Sequence, residues 1–279
     1  MTFGGYFRYF VELAYQGAPF CGWQAQSNAV TVQGTLEQAL EMLLRENVRL
    51  TGAGRTDTGV HASFFIAHFD SVANDLHTKP QLIRSINSIV PKEIAVYRIY
   101  PVAADAHARF DALSRTYLYR IATAKNPFTA HLAYHLYRPL DMDKMNEAAK
   151  ILTGYTDFTS FRKLHGNETT NLCNILHAQW TEDAGNRELH FTIAANRFLR
   201  NMVRAVVGSM LEIGSGKRMP EDMRRIIEAK DRNAAGMSVP PHGLYLTDIA
   251  YPAEMLKFGE TALYDKSCRD TKPKGCPEI

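Results

Sequence analysis

A single carboxylate in a glycine-flanked loop is the clearest chemical signal in the sequence. Residues 52–62 read Gly-Ala-Gly-Arg-Thr-Asp-Thr-Gly-Val-His-Ala, so Asp57 lies two residues after Arg55 and two before Gly59. Glycine allows positive φ angles and a close approach of the backbone to a ligand. A strand-like run, residues 64–69, follows at once. This position at the mouth of a sheet places Asp57 for chemistry or for a close contact.

Asp57 also has plainer interpretations. A loop aspartate often bonds to its own backbone and only stabilises a turn. The tripeptide Asp57-Thr-Gly59 is that of aspartic proteases, which need two carboxylates sharing one proton. The sequence contains no second Asp-Thr-Gly or Asp-Ser-Gly, and the adjacent Arg55 favours a charged carboxylate, so only a symmetric dimer could form such a site. Gly52 and Gly54 lack the third glycine and the following helix of a dinucleotide-binding loop.

A predicted helix over residues 198–213 brings arginines near an apolar stripe. Arg197, Arg200 and Arg204 fall along one flank of this helix. They form either a solvated basic edge or a part-buried contact. Arg204 borders the apolar stripe, so it could reach a carboxylate, and a bidentate pair with Asp57 would keep that carboxylate ionised.

Aromatic residues alternate with basic ones in a predicted strand. Residues 115–120 read Arg-Thr-Tyr-Leu-Tyr-Arg, which places Tyr117 and Tyr119 on one face of the strand. Arginine neutralises phosphates and aromatic rings stack on unpaired bases. Each tyrosine could equally be a core residue, so the pattern permits an RNA-binding surface without requiring one.

The composition sets broad limits. With 279 residues, 46% hydrophobic content and a net charge of +3, the chain is a globular protein for which a polyanionic partner is possible but not demanded. The four cysteines form no C-x-x-C pair, and no zinc or other metal site is expected. We find neither a signal peptide nor an apolar run of about 18 residues, which predicts a cytoplasmic protein without a membrane partner.

The hydrophobic periodicity predicts two successive sets of strands and helices. The first set has strands near residues 7–15, 64–69 and 94–100 and helices at 32–44, capped by Thr31, and 82–90. The second set has strands at 115–122, 175–182, 188–195 and 243–251 and helices at 141–152, capped by Asp141, 198–213 and 223–229. We therefore expect two α/β lobes around a cleft, residues 1–106 and 107–264, joined near 104–110. Residues 265–279 have the composition of a disordered tail.

The motifs, taken together, resemble the tRNA pseudouridine synthase A family over nearly the whole chain apart from the tail. The matching stretches are Tyr15-Gln-Gly17, Phe20-Cys-Gly-Trp-Gln-Ala-Gln26, Val32-Gln33, residues 52–62, His107-Ala-Arg-Phe110, Tyr117-Leu-Tyr119, Asp157-Phe-Thr-Ser-Phe-Arg162, Phe198-Leu-Arg-Asn-Met-Val-Arg204 with Gly208, and Gly243-Leu-Tyr-Leu246. The order Gly-Arg-Thr-Asp among the other motifs is highly specific.

The resemblance implies an α+β fold with two ferredoxin-like or RRM-like lobes, antiparallel sheets and a central catalytic cleft. It also implies isomerisation of uridine to pseudouridine at positions 38–40 of the tRNA anticodon arm, by a homodimer without a cofactor. Asp57 matches the nucleophile and Tyr117 the tyrosine on the target base. Arg204 matches the partner of the aspartate, and Arg55 the arginine linked to extruding the nucleotide.

Three features depart from the family pattern. Thr58 stands where alanine is usual, Phe64-Phe65 replaces Gly-Gln, and Ala25 replaces a frequent arginine. None removes a matched catalytic residue, but together they leave room for a shifted choice of sites. A non-catalytic RNA-binding module on the same fold is the alternative.

Overall fold

The chain forms two successive sets of strands and helices in the computed structural model, which describes residues 5–163 and 170–256. The elements are β1 (Phe7–Tyr15), α1 (Val32–Leu44), β2 (Thr51–Gly52), β3 (His61–Ser71), α2 (Pro80–Ile89), β4 (Ile94–Pro101), β5 (Ser114–Ala122), β6 (Tyr134–His135), α3 (Met142–Leu152), β7 (Ile175–Asp183), β8 (Glu188–Ala195), α4 (Met202–Gly214), α5 (Asp222–Ala229), β9 (Leu244–Ala250) and α6 (Ala253–Leu256). The predicted tail, residues 265–279, lies outside the described residues.

All the described strands belong to one mixed sheet. Its order is β4-β1-β3-β9-β5-β8-β7, with β2 beside β3 and β6 beside β5. Most neighbours are antiparallel, but β9 runs parallel to β3 and β6 parallel to β5. The expectation of antiparallel sheets is therefore wrong at these two pairings. The last strand, β9, enters between the two halves, antiparallel to β5 and parallel to the start of β3.

Two clusters of buried apolar residues fill the two halves of the sheet. One includes Tyr9, Trp23 and Phe65, and the other includes Trp180 and Met210. In the second, the Trp180 ring packs against that of Phe191 at 5.0 Å and a tilt of 31°. Burial of such rings supplies much of the apolar stabilisation. The structure thus shows two cores on one sheet, while a division into two lobes stays a prediction.

The predicted connection between the halves packs on the sheet. Ala108 donates its N–H to Nδ1 of the buried His68 at 3.1 Å. The Tyr251 hydroxyl, just after β9, donates to the Ala108 carbonyl. Both contacts satisfy polar groups that would otherwise be buried without partners. The connection therefore fixes β9 against the first half of the chain.

Local signals placed most helix starts correctly. The Thr31 hydroxyl accepts from Gly34 N–H, and Asp141 accepts from Lys144 N–H, as expected of N-caps. The helix predicted from residue 198 is wrong in its first turn, since α4 begins at Met202. Asn201 has a left-handed backbone, with φ of 68°, which interrupts the helical path before α4.

Candidate active site between the Asp57 loop and the start of α4

The main chain around Asp57 is held by the first core. Trp23 donates its main-chain N–H to the Thr56 carbonyl at 3.2 Å. The Thr56 hydroxyl is buried and lies 2.8 Å from the Tyr15 hydroxyl. Val60 donates to the Asp57 carbonyl at 3.1 Å and closes a turn. The carboxylate therefore projects from a loop whose two sides are fixed.

Two glycines allow the segment before α1 to pass directly beneath this loop. A Cβ atom at Gly17 would lie 2.0 Å from the Val60 carbonyl oxygen, and one at Gly22 would lie 2.5 Å from the Thr56 carbonyl oxygen. Gly22 also has a φ of +82°, which side chains rarely adopt. The close approach explains why these glycines accompany the Asp57 motif in the sequence.

Phe65, one of the departures from the family pattern, supports the loop from the core. It is fully buried and its ring lies 4.1 Å from the Trp23 ring. A Cβ atom at Gly52 would lie within 3 Å of both rings. Phe65 therefore acts in packing beneath the loop, and Thr58, by contrast, is exposed.

The Asp57 carboxylate forms an ion pair with Arg200. The Arg200 Nε atom lies 3.2 Å from Oδ1 of Asp57. The two side chains remain 57% and 28% exposed, respectively. Exposed pairs of this kind contribute little to folding stability, typically about 0–1 kcal/mol. The carboxylate is therefore accessible from solvent, and its ion pair adds little to the stability of the fold.

The ion pair predicted for Arg204 is formed by Arg200 instead. Arg204 donates from Nε to the Val239 carbonyl at 2.7 Å. Burial lowers the pKa of Arg204, and the negative charge of Asp57 opposes that shift. Arg204 thus lies within electrostatic reach of the carboxylate, behind Arg200.

The late start of α4 explains why Arg200, and not Arg204, pairs with Asp57. The flank of a helix starting at 198 would place Arg200 and Arg204 one turn apart. The left-handed Asn201 breaks that register, and its side-chain amide donates to the Ser238 hydroxyl at 2.6 Å. Arg200 therefore leaves the helix surface and meets the Asp57 loop, while Arg204 stays in α4.

Tyr117 lies on β5 beside the same carboxylate. It is half-buried and its ring meets the edge of Phe198 at 5.1 Å and 89°. Burial raises the pKa of Tyr117 to about 12, the nearby Arg115 opposes this shift, and the charge of Asp57 adds to it. The hydroxyl is neutral at physiological pH. A bulge in β9 at Thr247 adjoins Tyr117, a device that often re-aims side chains near active sites.

Arg55 stands at the exposed side of the loop. Its Nε atom donates to the Gln24 side chain at 3.1 Å, and Gln24 in turn donates to Gln33 at 2.9 Å. Asp57, Tyr117 and Arg204 thus lie close together in the structure. Arg55 lies at the exposed edge of this group.

The sequence pattern, which permits an RNA-binding surface at residues 115–120, does not reveal the contacts of Arg115. The guanidinium donates to four carbonyl groups, those of Ala53 at 2.8 Å, Arg109 at 2.5 Å, Ala112 at 2.9 Å and Asn196 at 3.0 Å. It thereby joins the Asp57 loop to the segment that carries Arg200. No local pattern could reveal this, because the acceptors are main-chain atoms distant in sequence.

His61 closes the far end of the loop. Its Nδ1 accepts from Gly17 N–H at 3.1 Å, and its Nε2 lies 3.2 Å from the His242 carbonyl. Burial lowers the pKa of His61 to about 4, so the ring is neutral. Within residues 5–163 and 170–256, no group of three His, Cys, Asp or Glu side chains could hold a metal ion.

The geometry defines an accessible carboxylate with a cation and a neutral tyrosine beside it. Such a carboxylate can add to an electrophilic carbon or remove a proton. None of the helices in the described ranges is long and apolar enough to cross a membrane.

Comparison with known proteins identifies the class first. The profile of a family described as "tRNA pseudouridine synthase" matches residues 148–252. The matched region contains β7, β8, α4 and β9, and so includes Arg200 and Arg204. The class is therefore that of an isomerase acting on uridine.

Full-length relatives then give the family. "tRNA pseudouridine synthase A" of Parabacteroides distasonis is 53% identical over 250 residues, which cover 89% of this chain and 97% of that one. The protein of the same name from Bacteroides fragilis is 48% identical over 90% and 98% of the two chains, and that from Francisella tularensis subsp. holarctica is 37% identical over 88% and 94%. The chain belongs to the tRNA pseudouridine synthase A family.

Proposed function

We propose that this enzyme isomerises uridine to pseudouridine at positions 38–40 of the tRNA anticodon arm, with Asp57 as the reacting carboxylate. The observation that carries the proposal is the accessible ion pair between Asp57 and Arg200, with Tyr117 beside it. A purely structural aspartate would not need to remain accessible to solvent beside a cation and a tyrosine.

The reaction matches what one carboxylate can do. The bond from N1 of uracil to C1′ of the ribose breaks, the base rotates, and a bond from C5 to C1′ forms. The proton on C5 leaves to solvent and N1 gains one, so the product is an isomer and no electrons are exchanged. The Asp57 carboxylate can serve this reaction either by adding to the base or the sugar or by removing a sugar proton.

The neighbouring residues take distinct roles in this proposal. Arg200 favours the ionised form of Asp57. Tyr117 is neutral and offers a ring against the target base, which holds the detached uracil while it rotates. Extruding a nucleotide costs a few kcal/mol of unstacking, and the exposed Arg55 can offset part of this by contacting the RNA left behind. Arg204 adds positive potential behind the pair.

The assembly proposed from the family resemblance has two lobes around the cleft, residues 1–106 and 107–264, in a cytoplasmic homodimer that spans the tRNA. Support comes from the two separate apolar cores that meet at β9. Light scattering at micromolar concentration should give twice the chain mass, and a monomer would count against the two-subunit arrangement.

Tritium release from tRNA labelled at uracil C5 tests the catalytic assignment. We expect release by the wild type and a loss of at least about 10³-fold in Asp57→Asn, because that amide can neither add as a nucleophile nor accept a proton. Asp143→Asn, an exposed position in the first turn of α3, is the matched control and should behave as the wild type. Equal release by Asp57→Asn and the control would falsify the assignment, as would an inactive wild type.

A further inference from the structure

A cavity of about 470 Å³ opens at the start of α4, beside the segment that carries Arg200. Its lining includes Lys163, Asn201, Arg232 and Met237. Asn201 directly follows Arg200 in the chain, and Lys163 donates its N–H to the Arg200 carbonyl at 3.0 Å. The wall of this cavity is therefore continuous with the segment that positions the ion pair.

The lining also includes a rigid main-chain segment, which carries an exposed apolar side chain. Gly236 donates its N–H to the buried Ser209 hydroxyl at 2.9 Å. A Cβ atom at Gly208 would lie 1.8 Å from the Met237 carbonyl oxygen, so this segment packs directly on α4. Met237 is nevertheless 85% exposed. A flexible thioether on a fixed backbone can pack against a planar ring.

The cavity also carries two positive charges, and within the described residues neither of them pairs with a carboxylate. Lys163 and Arg232 form no ion pair with any carboxylate of residues 5–163 or 170–256. Arg232 donates to the Gly236 carbonyl at 3.1 Å and to the Ser238 hydroxyl at 3.0 Å, which hold its guanidinium at the wall. Hydrogen bonds to neutral groups leave its charge uncompensated, so the cavity attracts an anion.

We propose that this cavity binds a nucleotide of the substrate RNA that flanks the target uridine, with its phosphate at Lys163 and Arg232 and its base against Met237. The inference rests on the proposed function and extends it by assigning a second nucleotide subsite. A phosphate and a ring together match the two chemical features of the cavity, whereas an inorganic anion alone would leave Met237 without a role. Because the subsite adjoins Arg200, occupancy would orient the target relative to Asp57.

Binding of an unmodified tRNA transcript to the full chain carrying Asp57→Asn tests the subsite without turnover. In that background, Lys163→Gln should weaken binding by about threefold to tenfold and reduce the slope of log affinity against log salt by about 0.7–0.9, the value for one phosphate contact. Met237→Ala should weaken binding by about fivefold, as expected for losing part of one buried apolar contact, with the slope unchanged. Lys92→Gln, at an exposed position before β4, is the matched control.

Anticodon-arm RNAs with single abasic nucleotides then locate the flanking base. At one position beside the target, removing the base should cancel the effect of Met237→Ala, because the contact is already lost. If the wild type releases tritium but the Lys163 and Met237 variants bind like the Lys92 control, the subsite is wrong and the proposed function stands. If the wild type releases none, the proposed function itself fails. Met237→Glu is a second variant, expected to weaken binding further by repelling phosphate.

Discussion

The Asp57 loop, residues 52–62, and the segment that precedes α4, residues 196–201, meet at one ion pair but are built differently. The loop rests on buried rings and on main-chain contacts that leave no space for a side chain at Gly17 or Gly22. The other segment is irregular, turns through a left-handed Asn201 and presents Arg200 at 57% exposure. The main chain that carries the carboxylate is therefore fixed in place, whereas its cation is an exposed side chain on an irregular segment. Substitutions on the two sides should therefore have different effects: those under the Asp57 loop on its placement, and those at the arginines on its charge environment.

The largest effect should follow from disturbing the rigid side. Gly22→Ala puts a Cβ atom 2.5 Å from the Thr56 carbonyl at a φ of +82°, so we expect a loss of about 3 kcal/mol in the free energy of unfolding and of nearly all tritium release. Gly54→Ala is the matched control within the same loop, since its Cβ would meet no atom within 4 Å. Urea unfolding should show Gly54→Ala to be as stable as the wild type. A stable, active Gly22→Ala protein would show that the loop is not fixed from below.

Replacing Arg204 should have the next largest effect. Its part-buried side chain donates to the Val239 carbonyl and contributes positive potential at Asp57. In Arg204→Ala we expect folded protein, destabilised by about 1–2 kcal/mol for the unsatisfied carbonyl, with activity reduced by about 10²-fold or more. Thermal unfolding and tritium release measure the two effects. Full activity would contradict a role for Arg204 at the site.

Arg200→Ala should separate the two arginines. The exposed pair contributes at most about 1 kcal/mol to stability, so the unfolding free energy should hardly change. Turnover should fall by about 10-fold to 10²-fold, because the carboxylate loses its direct counter-charge. Arg200→Lys should restore part of the activity, whereas a neutral substitution should not. Unchanged turnover in Arg200→Ala would mean that the observed pair has no part in the reaction. Arg204 would then be the counter-charge of Asp57.

Part of this comparison was predictable from the sequence. Helix periodicity and caps located α1 and α3, and the family motifs identified the Asp57 loop. Periodicity could not show that α4 starts late, because residues 198–201 carry the same apolar spacing as the helix. Pairing between β3 and β9 was also hidden, since contacts between residues nearly 200 positions apart leave no local pattern. The carbonyl contacts of Arg115 and the charges around Met237 depend on the same long-range placement.

The smallest predicted effect concerns the buried end of the loop, at His61. In the folded chain, burial lowers the pKa of His61 to about 4, below its ordinary value of 6.5. As the pH falls below 6.5, the unfolded chain takes up a proton that the folded chain excludes until about pH 4. The free energy of unfolding should therefore fall between pH 7 and pH 5, by about 1–2 kcal/mol from this residue at 1.4 kcal/mol per pKa unit.

His68, whose pKa burial also lowers to about 4, should add a comparable loss over the same pH range. Urea unfolding of His61→Gln at both pH values isolates the contribution from the loop. This variant should be less stable at pH 7, because the ring contacts to Gly17 and His242 are lost, but its stability should depend on pH less strongly than that of the wild type. An unchanged pH dependence would mean that His61 is protonated in the fold and that this end of the loop is less rigid than the contacts of Gly17 and Gly22 indicate.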